Sequence, residues 1–421
     1  MLPYDGSVRW LRALSPTALV VFAASCSHDW DAYAPSTGAA STGSGGASSS
    51  ASTGGGGNPV ASSGPGGSGA SVSASTGGSP SWYDPALDRR RAITIGAIDG
   101  AALEDFPVLV RLDPTRIDYA ATAGGGTDLR FVGDDQTTLL AHDIEAWSNG
   151  GESVIWVRAP ALSTAGPTTI WLYHGGEPAQ PSLPSTETWS NSFEAVWHLG
   201  QGAADATAHG HDGTTAGGVA PGAAGKIGSA IAFDGTDDYI QVPASDAIDS
   251  LFVTGGTITA WIRPTSSGAA QRGRIFDRSL DSGFTGGWAF LMSDYQVKNS
   301  LGFAHGYEIS DAWWTTPMGS MTYMTWRHVA VTFAQADSIP SIYMDGAAAQ
   351  VVVSDGADGA PATPTPIPAR IGNRSGAIDR AFDGTIDELR LSTTVRSPAW
   401  IATEVRAAED TLLTVGAEEQ L

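Results

Sequence analysis

The most regular pattern in the chain is alternation of apolar and polar positions with period two. Val108, Val110 and Leu112 fall on one face of an extended segment, with Leu109 and Arg111 on the other, which predicts a strand. Similar runs predict strands over Asp128–Val132, Ser153–Arg158 and Thr168–Tyr173, punctuated by Gly124-Gly125-Gly126, Gly150-Gly151 and Gly175-Gly176. Beyond residue 190 the alternation returns in Ala195–Leu199, Thr257–Ile262 and Trp326–Phe333, where Trp326, His328, Ala330 and Thr332 share one face. A helical period occurs near the end. Ser397 can cap a helix with Pro398 at its first position, and Trp400, Ile401 and Val405 form an apolar stripe expected to close one edge of a sandwich. Trp197, Trp261, Trp326 and Trp400 are expected in cores.

The first eighty residues follow another logic. Arg9 and Arg12 precede an apolar stretch, Ala13 to Ala24, that ends in Ala23-Ala24-Ser25-Cys26. It is short for a membrane span and has the form of an export signal. Cys26 is the single cysteine of the chain, so it has no disulfide partner within it. From Ser27 to Pro80 the residues are nearly all Ser, Gly, Ala, Thr and Pro, a composition that builds no core and predicts a disordered tether with a reach of about 40 Å. The organisation read from the chain is a signal peptide over 1–25, a tether over 26–80, a small β-sandwich-like domain over 81–178 and a larger β domain over 192–418.

Composition supports an all-β reading: 53 glycines and 24 prolines supply turns between short strands. The net charge of −22 has no basic patch set against it, so a nucleic-acid partner is excluded as an expectation. Arg89-Arg90-Arg91 is the one local basic run and reads as a solvated strand face.

Several landmarks resemble known families. Residues up to Cys26 resemble a bacterial lipobox, which implies lipidation of Cys26; Ser27 in place of an acidic residue points to the outer membrane or cell surface. Asp105-Phe106-Pro107-Val108-Leu109-Val110, Thr127-Asp128-Leu129-Arg130-Phe131, Asp143-Ile144-Glu145-Ala146-Trp147, Ile155-Trp156-Val157 and Leu172-Tyr173-His174-Gly175 resemble the bacterial domain of unknown function 2341, which brings no activity. Phe233-Asp234-Gly235, Asp238-Tyr239-Ile240, Trp326–Phe333, Ile342–Gly346 and Phe382–Arg390 resemble the laminin-G-like, concanavalin A-like jelly roll, two antiparallel sheets packed face to face. In related jelly rolls a calcium ion is held by a loop like Asp205–Gly210 and by the Asp of the Ile-Asp-Glu strand. The resemblance therefore implies Asp205 and Asp387 as calcium ligands.

The remaining chemistry is sparse. Asp143 and Glu145 lie two apart on a strand and share a face, whereas Asp387 and Glu388, being adjacent, are expected to point to opposite faces. The Glu-x-Asp-x-Glu of laminarinase-type hydrolases is missing, with Thr385 where the nucleophile would stand. No Gly-x-Ser-x-Gly elbow, His-Glu-x-x-His or phosphate loop occurs. His209 and His211 alternate in a Gly-rich loop and read as exposed. Trp313 and Trp314 lie in a turn-rich stretch where two adjacent indoles cannot both face one core, so one is expected to be exposed as a stacking platform for a saccharide. The function read from the sequence is a non-catalytic surface lipoprotein whose jelly roll binds a glycan or a surface protein. The rival readings are a surface glycoside hydrolase and a purely structural envelope component.

Overall fold

Alternation over Leu103–Leu112 is answered by Ser153–Leu162, which pairs with it antiparallel from Leu103 opposite Leu162 to Leu112 opposite Ser153. His142–Ala146 adds a third strand to this sheet. A five-stranded sheet packs against it in the order Leu413–Gln420, Leu87–Ile95, Thr168–Gly176, Arg130–Gly133, Leu139–Leu140. Val108, Val110, Ile155 and Val157 from one sheet and Ile93, Phe131, Ile170 and Leu172 from the other fill the space between them. These coordinates are a computed structural model that describes residues 82–421, except 281–283, 285, 295–296, 335 and 338. Cys26 and the segment 26–80 thus lie outside the described residues.

The second sandwich is a jelly roll of two eight-stranded sheets. One runs Ala220–Ala224, Ser229–Asp234, Asp383–Ser392, Gly256–Pro264, Arg327–Phe333, Ser341–Met344, Ala347–Ala348, with Phe193–Trp197 also on Asp383–Ser392. The other runs Val352–Asp355, Ala312–Thr315, Ser300–His305, Trp288–Ser293, Arg274–Arg278, Ala369–Ile371, Tyr239–Val242, Thr214–Ala216. Ile258, Ala260 and Ile262 point between the sheets toward Phe276, Trp288, Phe290 and Phe303. Trp261, the alternate residue, points the other way into the core of the first sandwich, together with Ala330 and Tyr343. One sheet of the jelly roll is therefore covered on both faces, and the described residues belong to a single compact unit.

The predicted helix forms over Pro398–Ala408, with the Ser397 side chain accepting from the Trp400 backbone N–H. It does not close an edge of the jelly roll alone. Trp400 meets Phe106 of the first sandwich at 4.8 Å and Phe193 at 6.1 Å between ring centres, so the helix is a wedge in the seam. The chain then crosses that seam, because Leu413–Gln420 pairs with Leu87–Ile95.

That pairing corrects the reading of Arg89-Arg90-Arg91 as a solvated face. Arg90 is 1% exposed, lies 4.5 Å from the ring centres of both Trp82 and Trp171, and donates to Glu419 Oε2 at 2.7 and 2.8 Å. Arg89 reaches Glu418 at 2.7 Å and Arg91 reaches it at 3.3 Å. Three cations on one strand match two carboxylates on its neighbour, which fixes the register of the terminal strand. A similar correction applies at Trp313-Trp314, where Ala312–Thr315 is a strand rather than a turn. Its four residues are hidden in the sequence between Ser310-Asp311 and Thr316-Pro317.

Candidate functional site

Polar groups converge where the two sandwiches meet. Asp143 and Glu145, on one face of His142–Ala146, project toward His198, which follows the strand Phe193–Trp197. Glu388 enters from the jelly-roll strand Asp383–Ser392 through a β-bulge: the register shifts between Thr259 and Trp261, and Glu388 has a φ of 50°. The bulge breaks alternation, so Glu388 joins Arg390 on the seam side, contrary to the expectation that Asp387 and Glu388 diverge. His198 Nδ1 lies 2.8 Å from Glu388 Oε1 and 3.6 Å from Glu145 Oε2, while its Nε2 lies 3.2 Å from Asp143 Oδ2.

Each carboxylate has a second partner. Trp156 donates its indole N–H to Glu145 at 2.9 Å, and Trp189 donates to Asp143 at 2.9 Å. Arg390 donates to Glu388 Oε2 at 2.6 Å and lies over both indoles, 4.2 Å from Trp156 and 5.0 Å from Trp189. The chain of alternating charge continues through Glu404, 3.7 Å from Arg390 and 3.4 Å from His328 Nε2. Burial opposes charge on His198, but Glu388, Glu145 and Asp143 outweigh it and hold the imidazole well above its ordinary value. Burial likewise pushes against ionisation of Glu388, yet His198 and Arg390 pull it down to about 2. Burial and the neighbouring Glu388 raise Glu145 to about 8. Burial and Glu388 also raise Asp387 well above the carboxylate range.

A cleft of about 290 Å³ opens beside Glu145 and His198, lined also by Gly200, Gln201, Gly202 and Ser229. Glu145 and Glu388 approach within 4.8 Å, close to the separation of a retaining glycosidase pair. The arrangement differs in what lies between them. Glu388 is 2% exposed at its side chain, with one oxygen on His198 and the other on Arg390, so no sugar can be placed between the two carboxyls.

The residues singled out from the sequence are distributed over the jelly roll. Asp205 Oδ1 accepts from the backbone N–H groups of Val196 and Thr207, and its Oδ2 accepts from His211 N–H and the Thr207 hydroxyl. Asp387 Oδ2 accepts from the N–H groups of Lys226 and Ile227 at 2.8 and 2.9 Å. The calcium implied between these two carboxylates thus finds Asp205 committed to closing its own loop with four donors. His211 pairs with Glu194 at 2.7 Å, and that hydrogen bond raises its imidazole above the ordinary value. Trp314 is 1% exposed and stacks with Phe303 in the core, which removes it as a saccharide platform. Trp313 faces the opposite side of the sheet, half-buried beside Phe284 and 5.3 Å from the Arg272 guanidinium.

Immediately before Trp313 lies a second cleft, of about 390 Å³, lined by Tyr307, Glu308, Ile309, Ser310, Asp311 and Thr363 among others. Neither His198 nor Arg390 stood out in the sequence. The signal was present in Asp387-Glu388-Leu389-Arg390, since three charges in a central strand need buried partners.

Comparison with known proteins agrees with the two-module order. Residues 125–195 match the family described as domain of unknown function (DUF2341), and residues 234–402 match the concanavalin A-like lectin/glucanases superfamily. The larger module is a concanavalin A-like fold. No curated protein matches the chain. Among solved structures, domain 4 of a GH43 extracellular arabinanase from Geobacillus stearothermophilus, in complex with arabinotriose, is 17% identical over 50% of this chain and 97% of that one, with a TM-score of 0.39. The CBM40 of a Ruminococcus gnavus IT-sialidase, bound to α2,3 sialyllactose, is 12% identical over 40% of this chain and 96% of that one, with a TM-score of 0.31. The binding domain of Paraclostridial Mosquitocidal Protein 1 is 14% identical over 51% of this chain and 52% of that one, with a TM-score of 0.40.

Proposed function

We propose that this is a non-catalytic recognition protein, held at the outer membrane or cell surface through a lipid on Cys26, whose jelly roll binds carbohydrate in the cleft lined by residues 307–311. The observation that carries the reading is the make-up of that cleft. One jelly-roll sheet is covered by the first sandwich, and the cleft lies by the other sheet, joining Tyr307 and an Ile309 that is 72% exposed to Glu308, Ser310, Asp311 and Thr363. A sugar ring presents a flat C–H face and an edge of hydroxyls, and an apolar wall with carboxylates and hydroxyls at its rim answers both.

A glycanase reading draws on Glu145 and Glu388, whose protonation states are driven apart as a general acid and its partner would require. The imidazole between them blocks the approach of one glycosidic oxygen to both carboxyls. A glycan array with the full chain tests the binding reading: a defined set of glycans retained by the parent and lost in Glu308→Ala, an exposed residue of the cleft lining, supports it. Retention of none, or cleavage of those retained, overturns it. For the anchor, Cys26→Ala is expected to move the protein from the detergent phase to the aqueous phase, and equal partitioning of variant and parent would refute a lipid there.

A further inference from the structure

Three ligating side chains from three different segments meet at the seam: Glu145 from the first sandwich, His198 after the strand that opens the jelly roll, and Glu388 at the bulge. We propose that Glu145, His198 and Glu388 form a site for one divalent transition ion of the zinc class, with an open coordination position toward the 290 Å³ cleft. The inference does not depend on the carbohydrate reading, which concerns a different cleft.

The geometry is the first support. A metal with bonds of about 2.0–2.1 Å holds neighbouring ligand atoms about 2.9 Å apart in octahedral and about 3.3 Å apart in tetrahedral geometry. His198 Nδ1 lies 2.8 Å from Glu388 Oε1 and 3.6 Å from Glu145 Oε2, and all three ligating atoms lie within 4.8 Å of one another. Small movements of side chains, with the backbone fixed, bring them onto one ion.

The surroundings are the second support. A metal-bound imidazole characteristically donates its other N–H to a carboxylate, which fixes the ring and its tautomer. Here the far nitrogen of His198 faces Asp143 Oδ2 at 3.2 Å. Glu145 is oriented by the Trp156 indole and Glu388 by Arg390. Charge also closes: two carboxylates and a neutral imidazole balance a dication, and Glu404 lies 3.7 Å from Arg390. Donor chemistry selects the ion, because one nitrogen and two carboxylate oxygens suit zinc-class ions better than calcium, which takes six to eight oxygens. The cleft reaches Glu145 and His198 and is lined by Gln201, Ser229 and the main chain of Gly200 and Gly202. A water or a small oxygen ligand would complete the coordination there.

The test uses the full chain, stripped with a chelator, reloaded with Zn²⁺ or Co²⁺, desalted, and assayed for metal by mass spectrometry and for cobalt by its visible spectrum. The expected result is one ion per chain and cobalt bands of a low-coordinate site with a nitrogen ligand. Glu145→Gln, which preserves shape, and His198→Gln are each expected to lower affinity by at least a hundredfold. Asp143→Asn should lower it by about 10- to 100-fold. Asp237→Ala, in the separate turn cluster Asp234, Asp237 and Asp238, should leave it unchanged. Circular dichroism on each variant distinguishes loss of ligand from loss of fold. A parent that retains no ion, or a folded Glu145→Gln chain that binds as tightly as the parent, overturns the site and leaves a hydrogen-bonded ion-pair network.

Discussion

Single residues decide which charges meet. Glu388, in a left-handed conformation at the bulge, adds its carboxylate to the seam side, and no rule of alternation could have placed it there. Asp205 was legible as a functional aspartate from its loop, but hydrogen-bond geometry gives it a local task. Four donors would lose their acceptor in Asp205→Ala, which should cost about 2–3 kcal/mol. The loss is expected to be the same in calcium and in chelator when chemical denaturation is followed in both; a loss confined to calcium would instead assign the residue to an ion. His305 carries a second expectation. Burial holds its imidazole down to about 4, and it lies between Tyr307 and Phe333. Because the unfolded chain takes up that proton near pH 6.5, the contribution is complete above 6.5 and is lost as pH falls toward 4, by about 3 kcal/mol at most. His305→Gln should flatten that part of the stability profile, and an unchanged slope would assign the acid sensitivity elsewhere.

At the scale of elements, strands and helix were legible wherever a periodic face coincided with one core. Ser153–Leu162 and Pro398–Ala408 begin at residues the sequence indicated. Ala312–Thr315 was not, since a four-residue strand flanked by polar turns carries too few periods to read. The terminal strand Leu413–Gln420 was equally hidden, because its polar face is matched to arginines more than three hundred residues away. Its importance can be measured by ending the chain after Asp410. That truncation removes Glu418 and Glu419, strips the outer neighbour from Leu87–Ile95, and takes the Glu419 carboxylate from Arg90, which keeps Gln136 and Tyr173. A cost of about 1–2 kcal/mol is expected from the lost charged hydrogen bonds to the half-exposed Glu419, in addition to the lost strand pairing, seen as a lowered denaturation midpoint and rapid proteolysis within residues 82–178. Parent-like resistance of the truncated chain would mean that the strand is an accessory.

At the scale of the whole molecule, the order of modules and their all-β class could be read from turn spacing and landmark runs, whereas their fusion could not. Trp261, Ala330 and Tyr343 serve a core that belongs mostly to the other sandwich, and a residue's pattern does not say which neighbour it will face. The fusion covers one sheet of the jelly roll on both sides, and the cleft lined by residues 307–311 lies by the other. The central claim is that this cleft binds carbohydrate without chemical change. It is tested most directly by titrating the full chain calorimetrically with a glycan retained on the array, then analysing the glycan after prolonged incubation. Saturable binding by the parent, weakening by at least tenfold in Glu308→Ala and Ile309→Ser, both exposed in the cleft lining, at unchanged melting temperature, and recovery of the glycan intact are the expected results. Equal affinity in all three proteins, or shortened glycan products, would contradict the claim.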